Sequence, residues 1–179
     1  MIRIMYAEFH ALPARKKSYR QGQMLFQQGD AVASMFLVAS GEARLERLQP
    51  SGGIVVLQRA KAGSFLAEAS LFATLYHCSA IASTDMSARL ISRKVVRLRF
   101  ENDPAFAVLW AKHLAGEVRS ARLHAEILSL RLVSSRIDAW IAQNGEPAGR
   151  GALRVMAQDI AASPEAVYRE MARRRRKPV

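Results

Sequence analysis

Few residues of this 179-residue chain have the types and spacing that catalysis or metal binding requires. The four histidines, His10, His77, His113 and His124, are scattered, and Cys78 is the single cysteine. One cysteine excludes an internal disulfide, a four-cysteine zinc site and an iron–sulfur cluster held by one chain. No nucleophile with an adjacent base and no phosphate-binding G-x-x-x-x-G-K loop is visible. The sequence therefore indicates a protein that is not an enzyme, with no catalytic residues and no metal site.

The segment Tyr76-His77-Cys78 and the carboxylate of Glu68 are the remaining candidates for chemistry. A thiol beside an imidazole suggests thiol redox sensing, or a metal or haem site. Adjacent side chains on a strand point to opposite faces, so His77 and Cys78 cannot easily share one ion. The alternative is a small buried cysteine beside a surface or capping histidine. Glu68 has no second acid beside it, which is a weak basis for general acid catalysis.

Charge and hydropathy indicate a basic protein of the cytoplasm. The chain has 27 Lys and Arg against 15 Asp and Glu, a formal net charge of +12. So basic a protein usually has a polyanionic partner. The longest stretch without a charged residue covers residues 69–84, which is shorter than the roughly 20 residues of a membrane span. No secretory signal is evident, so we expect a cytoplasmic protein without a membrane partner.

Residues 18 to about 92 have the pattern of short antiparallel strands. Turn residues recur at intervals of about ten residues between short apolar runs, which is typical of a sandwich or barrel. The clearest hairpin tip is Pro50-Ser51-Gly52-Gly53, between Leu48 and Ile54. Glycine supplies the positive φ that tight hairpins need.

The apolar period changes after Asp103-Pro104, a natural helix start with Asp as the cap. A heptad seam follows, at Ala107, Ala111, Leu114, Val118, Ala121, Ala125, Leu128 and Leu132. A helix over 104–132 would be about 43 Å long, too long for burial in one small domain. The seam predicts a helix that packs on a second copy of the chain; the alternative is an ordinary helix within one domain.

Residues 153–171 have the spacing of a helix-turn-helix. Apolar residues stand where the two helices would touch, Ala157 where they would cross, and Ser163-Pro164 where the second helix would begin. That helix would enter the major groove. The candidate DNA-binding residues are Ser163, Glu165, Tyr168, Arg169 and Arg173.

Two departures keep a structural helical hairpin open as the alternative. Ala161 stands where the turn usually has glycine, and Glu170 stands at a position that is normally apolar. The following basic run, residues 173–177, would lie near phosphates, although such runs are also common in solvated ends.

The glycine spacing and the Glu68 segment resemble the cyclic-nucleotide-binding type of β-roll. The residues that carry this resemblance are Gly22, 25–30, 36–41 and 63–72. Followed by a long helix and a helix-turn-helix, the chain resembles the CRP/FNR family of bacterial transcription regulators over about residues 18–177. The resemblance implies an α+β fold: an antiparallel β-roll (a double-stranded β-helix or jelly-roll) over 1–103, a dimerisation helix over 104–132, and a helix-turn-helix domain over 133–179.

The resemblance also implies a working arrangement. A homodimer would form along Leu114, Val118, Ala121, Ala125, Leu128 and Leu132. Each β-roll would hold a small-molecule effector, and each helix-turn-helix would bind half of a palindromic site in double-stranded DNA. RNA polymerase would be a further partner. The effector pocket would be formed by Ala67, Glu68, Ala69, Ser70, Cys78 and Ser79.

The pocket departs from family members that bind cyclic nucleotides. Ala67-Glu68 replaces their Gly-Glu pair, and Cys78-Ser79 stands in place of an Arg-Ser pair. Glu68 and Ser79 match, but the cation that neutralises the phosphate does not. Burying a phosphate without a cation is costly. We therefore expect an effector other than a cyclic nucleotide, and its identity stays open.

The family's β-hairpin wing should begin near Lys177, whereas the sequence ends at Val179. The expectation is weak DNA binding by this chain. The alternative function is a dimeric sensory or ligand-binding protein that has lost DNA binding through its shortened C-terminus.

Overall fold

The computed structural model describes residues 2–50, 52–149 and 151–176. The strands in these residues are β1 (Ala14–Tyr19), β2 (Met24–Phe26), β3 (Ser34–Ser40), β4 (Glu42–Leu48), β5 (Ile54–Lys61), β6 (Phe65–Leu66), β7 (Ser79–Ala82) and β8 (Met86–Ser92). The helices are α1 (Ile2–Ala11), α2 (Arg93–Asn102), α3 (Pro104–Ser129), α4 (Val133–Asn144), α5 (Ala152–Asp159) and α6 (Pro164–Arg175). The chain divides into two compact units, Met1–Glu117 and Val118–Val179.

The first unit contains two four-stranded antiparallel sheets, in the orders β1-β8-β3-β6 and β2-β7-β4-β5. The predicted hairpin is confirmed: β4 pairs with β5, with Leu48 opposite Ile54. The N–H of Gln49 donates to the carbonyl of Gly53 at 2.7 Å and closes the turn. Ser51, at the tip, lies outside the described residues. The predicted α+β class with an N-terminal antiparallel β-roll is confirmed.

One glycine of the β-roll is required by a close approach between chain segments. Gly41 links β3 to β4 with a φ of +75°, and a Cβ there would lie 2.3 Å from the carbonyl oxygen of Asp85. Any side chain would therefore push the β7–β8 connection away.

Four aromatic rings join the helices of the first unit to its sheets. The ring of Phe9 lies 4.3 Å from Phe65 and 5.3 Å from both Phe106 and Trp110, centroid to centroid. All four side chains are buried. The start of α3 is thereby fixed against β6, the strand that leads directly into the Glu68 segment.

Helix α3 begins where the sequence predicts and ends earlier. The carboxylate of Asp103 accepts from the N–H groups of Ala105 and Phe106 at 3.0 and 3.1 Å, as a capping residue does. The helix has 26 residues and ends at Ser129. The predicted extension to Leu132 is wrong: Leu132 has an extended backbone and is the N-cap of α4. Because Leu132 is not on α3, it is not part of the heptad seam of that helix.

The second unit has a small core shared by α3, α4, α5 and α6. The buried residues are Ile127, Ile137, Met156, Ala157, Ile160, Val167 and Met171. The wing predicted from Lys177 onward lies outside the described residues. None of the described helices combines the length and the apolar character that crossing a membrane requires.

Candidate functional site

The pocket segment begins with an alanine in a left-handed conformation. Ala67 follows β6 with a φ of 69° and a ψ of 16°, and a single 3₁₀ turn, Glu68–Ser70, comes directly after it. The N–H of Ser70 donates to the carbonyl of Ala67 at 2.9 Å. A Cβ makes this conformation unfavourable, which is why glycine is the usual residue in it. The turn directs the next side chain, Glu68, into the unit.

Glu68 is a buried carboxylate with an incomplete set of partners. The residue is 7% exposed. Its Oε1 accepts a long hydrogen bond of 3.4 Å from Nε2 of Gln58, and its Oε2 has no hydrogen-bond partner. The pKa of Glu68 is raised to about 7, mainly by burial and to a smaller extent by Glu117, against the opposing effect of hydrogen bonds from its own backbone and from Gln58.

Two residues that the sequence analysis did not select, Gln58 and Glu117, act on this carboxylate, and His113 lies close to Glu117. Nε2 of Gln58, on β5, also donates to Oε2 of Glu117, on α3, at 3.1 Å. His113 lies one turn before Glu117, with its ring 5.3 Å from that of Phe65. The His113 Nε2 is buried and has no hydrogen-bond partner. Burial lowers the pKa of His113 and Glu117 partly opposes this, so the imidazole is neutral near pH 7.

Cys78 is buried while His77 beside it is exposed, which matches the alternative of a small buried cysteine beside a surface histidine; both residues precede β7 and are not on a strand. Burial raises the pKa of the Cys78 thiol to about 11; Arg47 lowers it and Glu68 raises it. A protonated, inaccessible thiol is a poor nucleophile and metal ligand. Arg47 is held near this position, because its Nη2 donates to the carbonyl of His77 at 2.8 Å. Its Nε is buried without a partner.

The other predicted pocket residues have different surroundings. Ser70 is buried, whereas Ala69 is exposed. The Ser79 hydroxyl accepts from the N–H of Gln28 at 3.0 Å. Glu68 and Cys78 are thus the two predicted pocket residues that influence each other electrostatically. In the part of the chain that the structure describes, no three His, Cys, Asp or Glu side chains converge as metal ligands would.

The second unit has the predicted pair of helices with a tight turn between them. The N–H of Ala162 donates to the carbonyl of Ala157 at 2.9 Å, and Ala161 has a φ of +48°. The guanidinium of Arg136 donates to the carbonyls of Ile160 and Leu130 at 3.1 and 2.7 Å. The turn therefore keeps the left-handed geometry that glycine usually provides, with alanine in its place.

Helix α6 begins at the predicted cap. The Ser163 hydroxyl accepts from the N–H of Ala166 at 3.2 Å, and Pro164 occupies the first helical position. Glu165, Tyr168 and Arg169 are all exposed. Their spacing of three and four residues places them on one side of the helix. Among the described residues, Arg169 has no ion-pair partner.

The charges at the end of α6 explain the unusual Glu170. Arg173 donates to both oxygens of Glu170 at 2.8 Å. Arg174 donates to Glu170 at 3.0 Å and to Asp138, on α4, at 2.6 Å. The Arg173 hydrogen bonds contribute most to lowering the pKa of Glu170 to about 2. Glu170 thus fixes two arginines instead of filling the core, and the sequence pattern gave no sign of this.

Part of the heptad seam of α3 is exposed among the described residues. Val118 is 47% exposed, Ala121 and Ala125 are exposed, and Leu114 and Leu128 are half-buried. By contrast, Phe106 and Trp110 are buried in the first unit and Ile127 in the second. The helix therefore uses one set of residues inside the chain and leaves another set accessible.

Comparison with known proteins gives one family match and several structural relatives. The cyclic nucleotide-binding domain family matches residues 16–103. The cyclic AMP receptor protein of Thermus thermophilus is 30% identical over 124 residues, which cover 69% of this chain and 57% of that protein. The matched region thus spans somewhat more than half of the curated relative.

Two solved structures extend the likeness beyond the β-roll. FixK2 from Bradyrhizobium japonicum has a TM-score of 0.79 at 21% identity, over 90% of this chain and 84% of that one. The c-di-GMP responsive global regulator CLP from Xanthomonas campestris has a TM-score of 0.75 at 16% identity, over 97% and 91%. These similarities support the fold of nearly the whole chain.

The two antiparallel sheets and the short Glu68 turn, together with the family match, define a cyclic nucleotide-binding type of β-roll. Residues 16–103 belong to the cyclic nucleotide-binding domain family. Beyond these residues, the solved structures show that the chain has a similar fold. These relatives are regulators and not enzymes.

Proposed function

We propose that this chain is a homodimeric, DNA-binding transcription regulator of the CRP/FNR type. The observation that carries the proposal is the Ser163-capped helix α6, which follows a tight turn and exposes Glu165, Tyr168 and Arg169 on one side. A helix in this arrangement can enter the major groove with its first residues at the base edges. Such a protein works in the cytoplasm, where bacterial DNA is accessible.

Each predicted DNA-binding residue has a role that follows from its surroundings. Arg169 is suited to pair with guanine, Glu165 to accept from a cytosine amino group, and Tyr168 to contact a phosphate or base. Ser163 is occupied by capping, so it acts through the start of the helix. Arg173 is paired with Glu170 and is suited to a phosphate contact.

Dimerisation would place two such helices on one palindromic site. The seam of α3 supports it, since Val118, Ala121 and Ala125 are exposed in the described residues. We assign the β-roll (1–103) to effector sensing, the long helix that follows to dimerisation, and 133–179 to DNA binding. RNA polymerase would be contacted from the bound dimer.

The effector would not be a cyclic nucleotide. Cys78 takes the place of the family's phosphate-binding arginine, and its thiol is neutral. Glu68 brings a carboxylate to the same interior, which disfavours an anionic ligand.

The direct test is selection of DNA fragments from a random library, followed by fluorescence anisotropy with the selected duplex. We expect Arg169→Ala to weaken specific binding by about 1–3 kcal/mol and to relax preference at one base position. The matched control is Arg97→Ala, because Arg97 is an exposed arginine on α2 in the first unit. Equal affinities for both variants and the parent chain would refute the assignment of α6.

A further inference from the structure

The DNA-binding proposal leaves unused a polar cluster in the first unit, formed by Glu68, Glu117 and Gln58. The amide of Gln58 donates to Oε1 of Glu68 at 3.4 Å and to Oε2 of Glu117 at 3.1 Å. One amide group thus holds two carboxylates together. Among the described residues, neither carboxylate forms an ion pair with lysine or arginine.

Because Glu68 is buried, water does not supply the hydrogen bonds that its carboxylate lacks within the cluster. The residue is 7% exposed and its Oε2 accepts no hydrogen bond. A buried carboxylate oxygen without a donor is costly, whereas a charged donor at hydrogen-bonding distance compensates the burial. The carboxylate of Glu117, which accepts from the same Gln58 amide, adds a second negative charge that no cation in the cluster balances.

The cluster is accessible from one side and apolar on another. Gln58 and Glu117 are half-buried, so solvent reaches the outer part of the cluster. On the inner side, His113 lies one turn before Glu117 and contacts the ring of Phe65. Its unpartnered Nε2 is neutral near pH 7, so it supplies no positive charge.

We propose that the β-roll effector site takes a ligand through a cationic nitrogen, an ammonium or guanidinium group, held by Glu68 and Glu117. This assignment rests on the proposed sensory role of the β-roll and names the chemistry of its ligand. The donor group would bond to the free Oε2 of Glu68 and to Glu117. Its organic part would extend along the Phe65 and His113 rings.

Calorimetric titration of the full chain without DNA tests the assignment. The probes are agmatine and ethylammonium chloride, and the comparators are cyclic AMP, cyclic GMP and sodium phosphate at matched ionic strength. At pH 8 we expect agmatine to bind, and Glu68→Gln to weaken that binding about tenfold or more, because the substitution keeps the shape and removes the charge. Binding should also weaken at pH 5.5.

Two further variants keep the test decisive. Glu117→Gln changes a half-exposed position and should also weaken agmatine binding. This variant serves as the test of the site where Glu68→Gln folds poorly. Glu101→Gln, at an exposed residue of α2 paired with Arg97, should leave binding within about twofold.

The outcomes separate this inference from the DNA-binding proposal. Binding of the anionic comparators in place of agmatine would overturn it and would assign the site to the Arg47 side of the interior. The inference would also be overturned if no cation bound and the only effect of Glu68→Gln were a higher stability than the parent at pH 8. Neither result bears on DNA affinity, which anisotropy measures independently.

Discussion

Glu68 combines deep burial with a titratable group, so its protonation is coupled to folding. Its pKa is about 7 in the folded chain, against an ordinary value of 4.5. Below pH 4.5 the group is protonated in both states. Between pH 4.5 and 7 the unfolded chain releases the proton first, so the folded state loses stability as the pH rises.

Between pH 4.5 and 7 the ionisation of Glu68 lowers the stability of the parent chain by at most about 3 kcal/mol. We predict that Glu68→Gln abolishes this loss. The free energy of unfolding of Glu68→Gln minus that of the parent should rise from pH 4.5 to 7 and then level off. Urea denaturation at a series of pH values measures this difference, in which the opposing titration of His113 cancels. A flat curve for Glu68→Gln would contradict the buried ionised state.

At the residue scale, the sequence predicted some members of the pocket and not others. Glu68 was found because it lies in a recognisable local segment next to β6. Gln58 and Glu117 were not, because they reach the cluster from β5 and α3, 59 residues apart in sequence. Local patterns carry no information on such contacts until the strand register and the helix position are known.

At the scale of elements, the turn between α5 and α6 has the least favourable local sequence. Ala161 has a φ of +48°, which costs an alanine about 1 kcal/mol or more relative to glycine. Replacement by glycine also increases the freedom of the unfolded chain, which offsets about 0.5–1 kcal/mol of the gain.

We predict that Ala161→Gly raises the free energy of unfolding by about 0.5 kcal/mol. The neighbouring variant Ala162→Gly is the control; Ala162 has no positive φ and packs against the core of the second unit, so glycine there should destabilise. Chemical denaturation of both variants gives the comparison. If the two variants lose stability equally, Ala161 does not have the left-handed conformation.

The sequence located helix starts more accurately than helix ends. Asp103-Pro104 and Ser163-Pro164 are strong start signals, and α3 and α6 begin there. No glycine or proline marks the end of α3, and the heptad pattern continues to Leu132. The helix stops at Ser129 because the chain must begin α4, and the Arg136 guanidinium bonds to the carbonyl of Leu130. That tertiary contact has no local signal.

At the scale of the whole molecule, the proposed dimer depends on the exposed part of the α3 seam. We predict that Val118→Asp dissociates the dimer, because a charge in an apolar interface must be desolvated without a partner. Leu123→Asp is a matched control: Leu123 is 50% exposed on the same helix and lies off the seam. Light scattering coupled to size exclusion should give the mass of one chain for Val118→Asp and of two chains for Leu123→Asp. A mass of two chains for both variants would exclude the seam as the dimer interface.

The order of the elements was easier to predict than their partners. The sequence pattern predicted short antiparallel strands, a long helix and a helix-turn-helix in this order, the family resemblance specified the β-roll, and structural relatives confirm the fold. The chemistry that we propose for the effector could not be predicted from the sequence, because Glu68, Gln58 and Glu117 come together from three separate elements.

Salt-dependent DNA binding tests the central claim most directly. Fluorescence anisotropy with a selected palindromic duplex should show two chains per duplex and a log–log slope of affinity against salt steeper than about −4, since several phosphate contacts release counterions. No measurable binding, or a slope near zero with one chain per duplex, would contradict a DNA-binding regulator.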